Sequence, residues 1–396
     1  MTEIDVTLAA RLNKVKPSAT MAITAIAAEL KAAGRPVIGL GAGEPDFDTP
    51  DHVKAAAIAA IQAGDTKYTA VDGTPELKQA IQRKFKQDNK LDYELDQILV
   101  SSGGKQTCYN ACQALLGPGD EAVVPAPFWV SYPEMVKLAD AEPVIIETGP
   151  STRFTVTPEQ LEAALTPRTR LLILNSPSNP AGTAYTHAQL KALGAVLDRY
   201  PQVVIATDDM YEHIYWGSEP FATLLNAAPQ LYDRTLTING VSKAYAMTGW
   251  RIGYCGGPKE IVAGMKKIQS QSTSGACSIS QAAAQAALDG DHRCVTDRCA
   301  AFRERHDAVV AGLNAIPGFS CLPGDGTFYA FPHVQQAIER KGLEDDVALC
   351  ADILKTVEVA LVPGSAFGTP GHLRMSYATD MTTLQEALSR LSRFME

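Results

Sequence analysis

The first residues able to do chemistry lie in TINGVSKAYAMTGWRIGY, residues 237–254. A short β-type run ends at Gly240, Ser242 and Lys243 follow, and Arg251 stands beside Gly249, Trp250 and Gly253. Lysine is costly to bury, so such a lysine is either solvated or put to work as an amine nucleophile. Four other β-type runs end in groups that a ligand could use. QILVSS leads into Gly103-Gly104-Lys105, and EAVVPAP into Phe128-Trp129. RLLILN leads into SPSNPAG with Asn179, and QVVIAT into Asp208, Asp209 and Tyr211.

Each has a plain alternative. A Gly-Gly helix start is often only a tight turn, and the phosphate-loop frame G-x-x-x-x-G-K-[ST] is absent. GAGEPDF (41–47) fails the dinucleotide frame because its sixth position is Asp46. Trp129 could be core, Asp208 could cap a helix, and Lys243 could be a surface residue. Their coincidence outweighs these alternatives, because open α/β sheets bind ligands beyond the carboxyl ends of their strands. Together they suit a planar, phosphate-bearing aldehyde. Lys243 would form its Schiff base, Asp208 would keep a ring nitrogen protonated, and Trp129 would cover the ring. Asn179 and Tyr211 would donate to a ring oxygen. The amides of 103–105, Ser242 and Arg251 would hold phosphate. That ligand is pyridoxal 5′-phosphate.

The elements that must position these groups read as alternating strands and helices. β-type runs fall at 97–102, 121–126, 142–148, 170–175, 202–208, 234–240 and 251–257. Most lack polar alternation, as strands buried on both faces do. Thr74 and Thr157 before Pro-Glu, and Thr49 before Pro-Asp, read as helix N-caps. The expected fold class is α/β, a mostly parallel seven-stranded sheet flanked by helices. From about 290 onward a long charged helix, short strands near GTFYAF and VEVALVPG, and a last helix TTLQEALSRLSRFM predict a smaller α+β domain.

Bulk properties bound the function. The 396-residue chain has room for two domains, and its net charge of −9 argues against a nucleic-acid partner. Eight scattered cysteines form no C-x-x-C pair, and no His cluster has metal spacing, so free thiols and no metal are expected. MTEIDVTLAARL lacks the features of a secretory signal, and no apolar run has membrane-spanning length. The expectation is a soluble cytoplasmic protein.

SKAYAMTGWRIGY resembles the S-K-x-x-x-x-x-G-x-R signature of class I aminotransferases, the fold type I pyridoxal-phosphate enzymes. NSPSNPAG resembles their N-P-x-G turn and ATDDMYEH their D-x-x-Y element. The likeness continues through KPSAT, GAGEPDFDTP, TKYTAVDGTPELK, SSGGKQ, FWVSYPEM and LRMSYAT, over nearly the whole chain. It is greatest to the bacterial aspartate aminotransferase subgroup, some of whose members also use prephenate. The resemblance implies that Lys243 carries the cofactor, Asp208 pairs with the pyridine nitrogen, and Tyr211 and Asn179 bond the ring oxygen. It implies Trp129 stacked on the ring and Gly103, Gly104, Lys105, Ser242 and Arg251 around the phosphate. Tyr68 would reach that site from a partner subunit, making an obligate homodimer with shared active sites. Arg374 would clamp the substrate α-carboxylate with Asn179, Trp129 and the Gly43 backbone. Residues 47–290 would form the large domain. Residues 1–46 and 291–396 would form the small domain that closes over substrate.

The implied reaction is ping-pong transamination from L-aspartate to 2-oxoglutarate. Prephenate or another amino-acid preference and a lyase on the same fold are the alternatives. No clear arginine for a second carboxylate appears in VAGMKKIQSQSTSGACSISQ (262–281). The subgroup implies Lys105 instead, aided by Ser18 and Thr20, and Lys16 matches a position linked with prephenate.

Overall fold

The structure, a computed structural model, describes residues 6–17 and 19–396. Strands are numbered in chain order. They are β1 Ile38–Gly39, β2 Ile98–Ser101, β3 Glu121–Ala126, β4 Glu142–Glu147, β5 Thr169–Asn175 and β6 Val204–Asp208. Then come β7 Thr235–Gly240, β8 Gly253–Gly256, β9 Tyr329–Ala330, β10 Val359–Ala360, β11 Val362–Pro363 and β12 Leu373–Ser376.

The expected seven-stranded sheet has the order β2-β8-β7-β6-β5-β3-β4. Only β8 runs antiparallel to its neighbours. Successive residues serve opposite faces, and both faces are covered. Val100, Val123, Leu172 and Ile205 join one core, whereas Leu99, Val124, Leu171 and Leu236 join another. That is why these runs show no polar alternation. From β3 the chain goes outward to β4 and then returns to the other side of β3 as β5. This reversal opens a crevice at the carboxyl ends of β3 and β5.

A third core gathers Phe302, Val309, Phe328, Leu349, Leu373 and Leu384. It is built from the helices Arg293–Asn314, Asp346–Val357 and Met381–Met395 with the β11-β12-β9 sheet. The core also takes Tyr211 and Ile214 from the loop after β6, so the two parts of the chain share apolar contacts. β1 pairs in parallel with β10, which fastens residues 38–39 to the C-terminal part.

Thr74 and Thr157 cap their helices, accepting from the N–H groups of Leu77 and Gln160. Thr49 does not. The helix begins at Asp51 with Pro50 as N-cap. The Thr49 hydroxyl instead donates to the Ala246 carbonyl and accepts from the Trp250 indole, each tying it to the loop after Lys243. Among the described residues no helix is long and apolar enough to cross a membrane.

Candidate active site

A cavity of about 450 Å³ lies at the carboxyl ends of β3, β5, β6 and β7. The first turn of the helix Gly104–Leu115 forms one side, and Thr20, Tyr329 and Arg374 close it from the other part of the chain.

Asp208 is the last residue of β6, paired in register with Asn175 of β5. Its carboxylate is buried. The Tyr132 hydroxyl donates to Oδ2 at 2.5 Å, and the Met210 N–H donates to Oδ1 at 3.2 Å. Burial pushes this carboxyl above its ordinary range, although Tyr132, the Met210 amide and Lys243 pull the other way. The Asn175 amide donates to the Asp208 carbonyl at 2.7 Å, and its oxygen accepts from the Asn179 N–H at 2.8 Å. Tyr211 Oη lies 3.1 Å from Tyr329 Oη, both within the cavity wall. Burial raises the Tyr211 phenol well above its usual range.

Lys243 sits in turns, not on a helix, three residues beyond the end of β7. No helix joins it to Arg251. The intervening chain folds through left-handed Ala246 and a single short turn at Thr248–Trp250, and Arg251 itself has φ 57°. The Lys243 ammonium donates to the Gly43 carbonyl. Its pKa is pulled down to about 8, first by burial and then by Arg374. Glu44 opposes that shift, and Arg251 adds a smaller push in the same direction as Arg374.

Glycines make room for the Arg251 end of the cavity. A Cβ on Gly103 would come within 2.3 Å of Arg251 Nη2. One on Gly253 would come within 2.2 Å of the Gly104 nitrogen. Gly249 faces open space, so no close approach requires it. Arg251 Nη1 donates to the Thr248 carbonyl at 2.8 Å, and Ser242 lines the same wall. The Lys105 ammonium lies 5.0 Å over the Trp129 ring, within cation–π range. Burial, then Arg251, lowers its pKa.

Arg374 is 2% exposed, a rare state for an arginine. It donates to Asn179 Oδ1 at 2.9 Å and to the Gly41 carbonyl at 2.7 Å. Its guanidinium lies 4.5 Å from the Tyr329 ring centre, and its Nε has no protein partner. A buried fork with a free donor suits a carboxylate ligand.

Some expected residues lie elsewhere. Gly103 stands behind Arg251 rather than on the cavity wall. Lys16 is exposed, with its backbone N–H on Glu134, and does not line the cavity. Tyr68 is 99% exposed and lines nothing in its own chain. Ser18 falls outside the described residues. Tyr132, Asn175 and Tyr329 were not singled out from sequence. Asn175 ends RLLILN and Tyr132 lies in FWVSYPEM, so a closer look at strand ends offered two of them.

The donor set fits a phosphorylated pyridine aldehyde. A glycine-walled helix start beside Arg251 and Ser242 offers an anion seat. A buried carboxylate suits a protonated ring nitrogen, and an amine with a depressed pKa suits an aldehyde. Fold and cavity together thus define a pyridoxal-phosphate enzyme. The chain belongs to the class I and II aminotransferases, whose family model matches residues 35–391; it is a transaminase, with pyridoxal 5′-phosphate as its cofactor. It is 55% identical over 391 residues to an aspartate/prephenate aminotransferase of Nitrosomonas europaea, covering 97% of this chain and 98% of the relative. Its fold matches the crystal structure of the Rhizobium meliloti aspartate aminotransferase with a TM-score of 0.93 at 49% identity, covering 98% of each chain. A Thermus thermophilus aspartate aminotransferase with maleate gives 0.92 at 40% identity, covering 98% of this chain and 99% of the other.

Proposed function

We propose that this transaminase moves the amino group of L-aspartate to 2-oxoglutarate, forming oxaloacetate and L-glutamate. One observation carries the reading: Arg374 and Lys105 line the same cavity as Lys243. A dicarboxylic substrate thus meets a cation for each end. The Nitrosomonas relative is named for aspartate and prephenate, and the Thermus structure is titled with maleate, a dicarboxylate. The first name also favours prephenate as a second amino acceptor.

In this reading Lys243 would hold the cofactor through its aldehyde. The Lys243 amine would act as the base that takes the proton at the substrate Cα and as the acid that returns it. The bound cofactor supplies an electron sink for the carbon left behind. Asp208, buttressed by Tyr132, holds a proton at the ring nitrogen. Asn179 and Tyr211 bond the ring oxygen, and Trp129 covers one ring face. Gly104, Lys105, Ser242 and Arg251 seat the phosphate, with the Gly103 backbone shaping that turn. Arg374 grips the α-carboxylate beside Asn179, Trp129 and Gly43. Lys105 and Thr20 meet the side-chain carboxylate.

The full exposure of Tyr68 supports a homodimer in which each copy completes the other's site. The pairing of β1 with β10 supports assigning residues 38–39 to the same small domain as residues 291–396. Eight unpaired cysteines support a reducing, cytoplasmic setting. Single-turnover absorbance of the cofactor-loaded protein with a panel of amino acids tests the substrate. Aspartate and glutamate should convert fastest. Faster conversion by alanine or phenylalanine would sink the assignment, and release of pyruvate and ammonia without an oxo acid would make it a lyase.

A further inference from the structure

Behind the cavity, on the side away from the cofactor seat, lies a buried polar cluster that the reaction does not use. Its centre is Glu212, one residue past Tyr211 and four past Asp208. Glu212 Oε1 accepts from Asn239 Nδ2 at 2.8 Å, and Oε2 accepts from Asn89 Nδ2 at 2.6 Å. Lys84 pairs with Glu212 and donates to Asn89 Oδ1 at 2.6 Å. Asn239 is four residues before Lys243, and its Oδ1 accepts from the Gly240 N–H at 2.7 Å. These four side chains belong to residues between 2% and 6% exposed.

Lys84 reaches this place because the helix Pro75–Asp88 buries Leu77, Ile81, Lys84 and Phe85 along one stripe. Burial alone would raise the Glu212 carboxyl. Lys84, His213 and the hydrogen bonds more than offset that and hold it below its ordinary value. Asp88, Glu212 and His213 converge closely enough to suggest a metal trio, but the Lys84 ammonium is already paired with Glu212 there. The protein supplies its own cation.

A buried ion pair is a poor source of stability, because desolvating both charges offsets their attraction. A fully satisfied polar network does, however, fix geometry. What it fixes here is specific. The β6–β7 ladder ends at Asp208↔Ile238, followed by one bond from the Asp209 N–H to the Ile238 carbonyl. Past that point the Asp208–Tyr211 turn and the Asn239–Lys243 segment diverge without further ladder bonds. The Asn239–Glu212 bond ties them there.

We propose that Glu212, held by Lys84 and Asn89 and bonded to Asn239, is a positioning residue that locks the Asp208 turn to the Lys243 segment. It thereby sets the ring-nitrogen partner and the cofactor-carrying amine at a fixed separation. This rests on the roles proposed above for Lys243 and Asp208.

Two variants of the cofactor-loaded enzyme test it. Lys84→Met with Glu212→Gln removes both charges and leaves neither unpaired. Asn239→Ala cuts the tie to β7 and keeps the ion pair. At a temperature where each is fully folded, cofactor release and the pH midpoint of the cofactor's visible absorbance are measured beside kcat. Both variants should release cofactor at least about tenfold faster and lose kcat by a similar factor, as small misplacements of reacting groups do. The absorbance midpoint should move by about half a unit or more, because the spacing of Asp208 and Lys243 sets it. Wild-type release and midpoint in both variants, with only a lowered Tm, would overturn the proposal. If the double variant does not fold, Asn239→Ala alone decides by the same readouts. A Lys243→Ala control separates the two levels: if it keeps the wild-type absorbance band, the site reading itself fails.

Discussion

The cavity has two unlike walls. The inner wall, with Asp208, Asn179, Tyr211 and Arg374, is buried, and Arg374 Nε is left free for a ligand. The outer rim, with Lys105, Met21 and Glu44, is exposed, and Tyr68 stands outside it altogether. A buried wall is preorganised and keeps charges in a poorly screened setting, which suits bond-making. A solvated rim is cheap to alter and suits substrate choice. The contrast teaches that the groups proposed for bond-making are held by the buried fold of the chain, whereas selectivity is left to groups that water still reaches.

Breaking the inner wall should have the largest effect. Lys243→Ala removes both the cofactor link and the proton carrier, and should cut turnover by at least about 10⁴-fold. Steady-state transaminase assays check this, and near-normal activity in that variant would falsify the assignment. Arg374→Lys keeps charge but loses the fork, so kcat/KM for every amino acid should fall by roughly 10²-fold, with the cofactor absorbance unchanged. An equal loss for amines lacking a carboxylate would contradict it.

The inner wall also predicts a pH dependence. The Lys243 pKa is lowered to about 8, so cofactor loading onto the apoprotein should speed up as pH rises and level off above that value. Between pH 6 and 8 the rate should climb about 50-fold, following the neutral amine. A midpoint near that of free lysine would contradict it. The sign for stability is the same. The cost of burying the ammonium is fully present below about 8 and is relieved as pH rises toward the ordinary value of 10.5.

The smallest effect belongs to the rim. In cofactor-saturated enzyme, Lys105→Ala should lower aspartate efficiency about tenfold more than alanine efficiency, the modest loss expected of an exposed cation. Unchanged aspartate efficiency would remove Lys105 from the substrate-binding set and weaken the contrast.

Much of this was legible in the chain. Strand runs without alternation marked a sheet buried on both faces, and the groups after them marked its binding edge. The parts that were not legible have physical reasons. Thr49 has the sequence of an N-cap, but its hydroxyl is claimed by Ala246 and Trp250, partners about 200 residues away. Lys84 looks like one more charge on a polar helix until Glu212 is brought against it. The path from Lys243 to Arg251 is set by left-handed Ala246 and Arg251, conformations that neither residue type announces.

Local pattern determined the elements, because side-chain periodicity and turn chemistry act over a few residues. Together with the order of the polar strand ends, it also determined the cofactor. Only the tertiary structure decided which charges are desolvated, since burial depends on every element packed around a group. The depressed Lys243 amine, the buried Arg374 fork and the Glu212–Lys84 pair therefore become visible only in the folded chain.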